Sequence, residues 1–169
     1  MIRKAVERVY DVVAANFNAE FATLAAAASV PAVTADFFKR LAAERFRLRT
    51  NAGLGIYQDG GRSQSSEGGA PGSRLRMPGS WIVIVLDWEI AGDNEDTVAL
   101  QTEIAVDAAL RCVDRLVAFD ATSGVGGAAT ERGSFTWQIE RTPKSKEGAL
   151  PRERAIMRFP ILARDTGLQ

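Results

Sequence analysis

Five carboxylates fall within a ten-residue stretch, at Asp87, Glu89, Asp93, Glu95 and Asp96, the densest set of groups in the chain that could do chemistry. Carboxylate oxygens suit hard cations, and a pair of them could act as acid and base at a glycosidic bond. A calcium loop started at Asp87 fails in register, because Ala91 and Val98 stand where ligands are required. A solvated strand end followed by acidic residues in the first turn of a helix accounts for the cluster without a metal. The glycines do not build a phosphate cradle. Gly53-Leu54-Gly55 lacks the third glycine, and Gly124-Val125-Gly126-Gly127 follows a helical pattern instead of joining a strand to a helix. Cys112 is the only cysteine and there is no histidine, so an internal disulfide, a His-dependent triad and a His-ligated zinc are excluded. The residues therefore imply no cofactor and no metal, and they argue against an enzyme.

Charge is distributed more informatively than any motif. Between Lys39 and Arg76 eight basic residues face three acidic ones, a net of +5, with Arg45, Arg47 and Arg49 alternating along the chain. Between Met77 and Leu110 there is no Lys or Arg, and seven carboxylates give −7, while the whole chain is formally neutral. Three outcomes are open: neutralisation within one subunit, two separately solvated faces, or a head-to-tail contact in which the basic part of one subunit meets the acidic part of the next. Zero net charge demotes nucleic-acid binding as the main activity.

The elements that position these groups follow from periodicity. At 169 residues, with 46% apolar and 25% charged residues, the chain predicts a single α+β domain, 1–169, burying roughly 70% of its unfolded surface. Val6, Val9, Tyr10, Val13, Phe17, Phe21 and Leu24 recur every three or four residues and predict a long helix from Ile2 to about Ala28, ended by Pro31. Thr34 reads as the N-cap of a short second helix that buries Phe37, Phe38 and Leu41. From Gly53 to Ser80 the composition turns to Gly, Ser, Pro and Arg and predicts a flexible insertion at about 58–79.

Ser80–Ile90 is the most strand-like run: Ile82, Ile84, Leu86, Trp88 and Ile90 share one face, while Val83 and Val85 give way to Asp87 and Glu89 on the other. A strand apolar on both faces at one end only predicts that Asp87 and Glu89 emerge to meet water or a partner. A helix over about Glu95–Val117 follows, its inner face of Val98, Ala105, Ala109, Cys112, Val113 and Leu116 widened by Val106, Leu110 and Val117, with Leu100 and Ile104 on the opposite face as a second contact surface. Phe135, Trp137 and Ile139, which alternate with polar residues as the inward face of a half-buried strand, and Glu153–Ala163 predict a closing antiparallel pair beside Ser80–Ile90, giving a mostly antiparallel sheet of about four strands with two long helices. Pro160 marks an edge or bulge. The N-terminus has no hydrophobic signal region and no apolar run reaches the ~20 residues of a membrane span, so synthesis in the cytoplasm is expected.

This order of elements, with Pro78 before WIVIVLDWE, an acidic turn into a helix, and a last strand RAIMRFPILARD, resembles the tail terminator and tail-completion (neck) proteins of tailed bacteriophages. The resemblance covers most of the chain through patterning alone. It implies a non-enzymatic virion protein of the tail or neck, assembled in the host cytoplasm. Such a protein is a homo-oligomeric ring, a hexamer being one closed form, that caps the tail tube and meets the head-side connector. Arg45, Arg47 and Arg49 would then face a neighbouring subunit or make non-specific contact with DNA in the lumen. Asp87, Glu89, Leu100 and Ile104 are the other candidate interface residues. A head-closure protein fits the same pattern. So, from another class, does a small cytoplasmic enzyme or ligand-binding protein using the acidic cluster near Asp87.

Overall fold

The structure is a computed structural model that describes residues 2–38, 50–64, 79–117, 125–126, 135–142 and 150–164. Arg45, Arg47 and Arg49 lie outside them. The architecture is α+β: helix α1 (Ile2–Ala27), strands β1 (Asp36–Phe38), β2 (Ala52–Gln64) and β3 (Gly79–Ala91), helix α2 (Glu95–Asp114) with a 3-10 turn at Arg115–Val117, then β4 (Val125–Gly126), β5 (Thr136–Thr142) and β6 (Arg152–Arg164). The sheet runs β1-β2-β3-β6, and β6 offers its far edge to β5 along one half and to β4 near the other end. All pairings are antiparallel except β1 with β2.

Helix α1 forms where the periodicity predicts. Ala5, Val9, Val13, Phe17, Phe21 and Ala25 are fully buried at a strict spacing of four, a row that slants across the helix surface. Ser29 ends it in the left-handed region, at φ 56°. Val30 N–H donates to Ala25 C=O at 2.9 Å and Ser29 N–H to Ala26 C=O at 3.2 Å, so two otherwise orphaned carbonyls are satisfied. Helix α2 starts at Asn94, whose side chain accepts from the backbone N–H of Asp96 and Thr97. Both helices cover one face of the sheet, where Leu54, Ile56, Ile84, Leu86, Trp88, Ala155, Met157 and Phe159 close the core. Trp88 is clasped there by Phe17 and Phe21, with ring centroids 5.5 and 5.6 Å away.

Two expectations are corrected. Asp36–Phe38, expected in the short second helix, form strand β1 instead, while Leu41 lies outside the described residues. The Asn18 side chain of α1 brackets Ala35, accepting its N–H at 3.0 Å and donating to its C=O at 3.4 Å, while Phe37 meets Phe17 edge-on at 5.9 Å. These contacts hold the segment extended against a helix seventeen residues away, and local propensity yields to them. The insertion does not begin at 58, because β2 continues to Gln64, paired with β3 as far as Gln64↔Gly79, with one bulge between Gln58 and Gly60. Its alternation of Ala52, Leu54 and Ile56 inward with Gly53, Gly55 and Tyr57 outward supplies the period of two that the glycines obscure. Residues 65–78 lie outside the described residues.

Pro160 of β6 pairs with Val83 of β3, and among the described residues nothing pairs with it on the other edge, between the β5 register ending at Arg158 and the β4 register starting at Leu162.

Cys112 is buried between α2 and the core, and desolvation pushes its thiol up to about 12. At pH 8 the native thiol is expected to react with a thiol-specific reagent about a thousandfold more slowly than in denaturant, since the thiolate is the nucleophile. Similar rates in the two states would show that α2 does not pack as described.

Candidate functional site

Opposite the helices, the sheet carries a second, separate cluster of buried apolar side chains, Tyr57, Val85 and Ile156. Charges of β3 and β6 surround it, because inward and outward residues alternate along both strands in register. Arg154 stands directly across from Glu89 on one side and Glu140 on the other. Its guanidinium reaches diagonally to Asp87, with Nε donating to Oδ1 at 2.7 Å and Nη2 donating to Oδ2. Arg152 repeats the diagonal with Glu89 at 3.5 Å, and Arg158 meets Asp59 at 3.4 Å. Gly53 and Gly55 of β2 lie opposite Glu89 and Asp87 and bring no side chain to these rows.

Burial sets the electrostatics of this seam. The Asp87 side chain is 1% exposed and that of Arg154 33%. The bidentate hydrogen bond with Asp87 raises the Arg154 pKa further above its ordinary value, against the opposing effect of burial. Glu89 is raised by desolvation, opposed by Arg152. Tyr57 is raised by desolvation and then by the nearby Asp87 charge, so its phenol keeps its proton at neutral pH. Asp87, held by both oxygens, and a protonated phenol are poorly placed to act as nucleophile or base. The arrangement is suited to pinning β3 against β6.

The sequence places Asp87 and Glu89 at an emerging surface, and for Asp87 this is corrected. The carboxylate is buried, because Arg154, 67 residues further on, comes alongside only in the folded sheet, a pairing that local periodicity cannot report. Leu100 and Ile104 also part company. Leu100 is 47% exposed, but Ile104 is 8% exposed and belongs to the core. Helix α2 is flanked by α1 as well as by the sheet. Gln101 donates to Pro31 C=O at 2.8 Å, and Glu20 of α1 pairs with Arg111 and Arg115, so the arc through Gln101, Ile104 and Ala108 is buried by the neighbouring helix. Hydrogen bonding from Arg115 lowers the Glu20 pKa.

Apart from Glu95 and Arg111, the exposed residues of α2 form a single stripe, Asp96, Leu100, Glu103, Asp107, Leu110 and Asp114. The spacing of four and three puts all six on one side of the helix. None of its four carboxylates has an ion-pair partner among the described residues. Sequence reading missed Leu110, assigned inward but 38% exposed, and Trp137, also assigned inward but 58% exposed on the outer strand β5.

Among the described residues no three His, Cys, Asp or Glu side chains stand together as metal ligands, and no helix is long and apolar enough to cross a membrane. No protein-family model matches the chain, and no curated protein is significantly similar to it.

Proposed function

We propose that this chain is a ring-forming structural subunit of a tailed-bacteriophage virion, a tail terminator or a closely placed neck component, with no catalytic role. The observation that carries the reading is the order of elements on which the resemblance rests. A long N-terminal helix, a β2–β3 pair, a second long helix and a closing β5–β6 pair are arranged as one α+β fold. The segregation of charge along a neutral chain supports it further, because a head-to-tail ring needs two different, complementary surfaces on every subunit. In this role the sheet forms the ring body, and the partners are the tail tube protein on one side and the head-side connector on the other.

Solution mass and negative-stain imaging of the purified chain, alone and with its tail tube protein, test the reading. Closed rings of uniform subunit number are expected in at least one of the two preparations. A protein that stays monomeric at high concentration in both would overturn it.

A further inference from the structure

Among the described residues, the charge split leaves an acidic surface that the fold itself does not use. The outward stripe of α2 holds Asp96, Glu103, Asp107 and Asp114 at −4, interrupted by Leu100 and Leu110, which are 47% and 38% exposed. Arg111 borders the stripe, but its guanidinium lies against Glu20 of α1 at 3.5 Å. An acidic helix face would ordinarily be a solvated one. Two large aliphatic side chains set ten residues apart within it make it amphipathic in a different sense, acidic and apolar together, and such a face fits a partner that is basic and apolar together.

The chain supplies such a partner. Residues 39–49, KRLAAERFRLR, contain five basic residues against Glu44, a net of +4, with Leu41, Phe46 and Leu48 interleaved. The charge balances that of the stripe, and the apolar residues match its leucines in kind. We infer that the outer stripe of α2 is the docking surface for residues 39–49 of a second copy of this chain, and that this pairing is the head-to-tail contact of the assembly. The inference rests on the ring-subunit reading and moves the acidic half of the contact from Asp87 and Glu89, which β6 already neutralises, to α2. Because the two surfaces differ, each subunit can offer one to either neighbour, so the contact can propagate head to tail and close into a ring.

A charge-swap experiment tests it. One variant carries Glu103→Arg and Asp107→Arg; the other carries Arg45→Glu, Arg47→Glu and Arg49→Glu. Circular dichroism is expected to show the α2 variant folded, since Glu103 and Asp107 are exposed, and it checks the fold of the arginine variant directly. Measured by sedimentation, each variant alone is expected to associate more than about tenfold more weakly than the wild-type chain, since like charges then face each other. An equimolar mixture is expected to recover assembly, because every contact then joins opposite charges. Wild-type rings that persist undiminished in the α2 variant would overturn the inference while leaving the ring reading intact. A mixture that remains monomeric would also overturn it, by showing that residues 39–49 pair within their own subunit or with a different protein. A wild-type chain that never assembles, even with its tail tube protein, would overturn the ring reading itself.

Discussion

Arg154→Ala is expected to cost about 3–5 kcal/mol of folding stability, the range for breaking a buried ion pair by removing one partner. The loss comes from what is left behind: the Asp87 side chain, 1% exposed, would keep its charge with no cation beside it. Asp87→Ala should be milder, about 2–3 kcal/mol, because Arg154 is one-third exposed and can turn to water. Urea unfolding of the wild-type and Arg154→Ala proteins checks this; a deficit below about 1 kcal/mol would show that Asp87 finds another partner. The double replacement Asp87→Leu with Arg154→Met should recover most of the loss, since an apolar pair of similar volume avoids the desolvation cost. Reversing Asp87 to probe assembly would, for the same reason, report on folding first.

Phe17→Ala is expected to be comparably severe, at about 3–5 kcal/mol. Phe17 is fully buried and touches rings of three elements: Phe21 on its own helix at 6.0 Å, Phe37 of β1 at 5.9 Å and Trp88 of β3 at 5.5 Å. Truncation opens a cavity between helix and sheet and releases the edge-on contact that helps hold β1. For a chain of this size each kcal/mol moves the midpoint by about 2–4 °C, so the melting temperature should fall by about 10 °C. Trp88→Phe is the contrasting case. The indole Nε1 is buried without a hydrogen-bond acceptor, so losing it removes an unfavourable burial along with some volume, and the net cost should stay below about 1.5 kcal/mol. If the two replacements melted alike, the aromatic cluster would not be the hinge of helix and sheet.

Much of this fold is legible in the sequence wherever one element faces one neighbour. The four-residue row of α1, the alternation of β3 and the apolar face of β6 each encode a single buried side, and each appears where its period places it. Reading fails where two neighbours compete for one element or where the decisive contact is distant. Helix α2 buries Ile104 against α1 as well as Ala105 and Ala109, so a one-face wheel puts Ile104 outside. Strand β1 depends on Asn18, and the burial of Asp87 depends on Arg154. The glycines of β2 hide a strand from composition because they serve it, leaving the outward rows to the side chains of β3 and β6. The α2 stripe was half visible: its acids and Leu100 were evident, but Leu110 was assigned inward because the wheel gave the sheet a wider share of the helix than it takes.

The junction of β3 with β6 also governs how the chain reaches this fold. It joins Asp87 to Arg154 across 67 residues, whereas β2 with β3 and β5 with β6 are near neighbours in sequence. Local pairs close at little entropic expense, and the long closure must wait until enough of both halves exists to reward it. Until then two partly formed units would each present an unpaired strand, β3 in one and β6 in the other, and identical units from different molecules could join through the same edges. The diagonal ion pairs make the correct closure distinguishable from its slipped registers, since a shift by one residue would carry Asp87 and Arg154 to opposite faces of the sheet. The seam that pins the sheet thereby also acts as a register key for late folding.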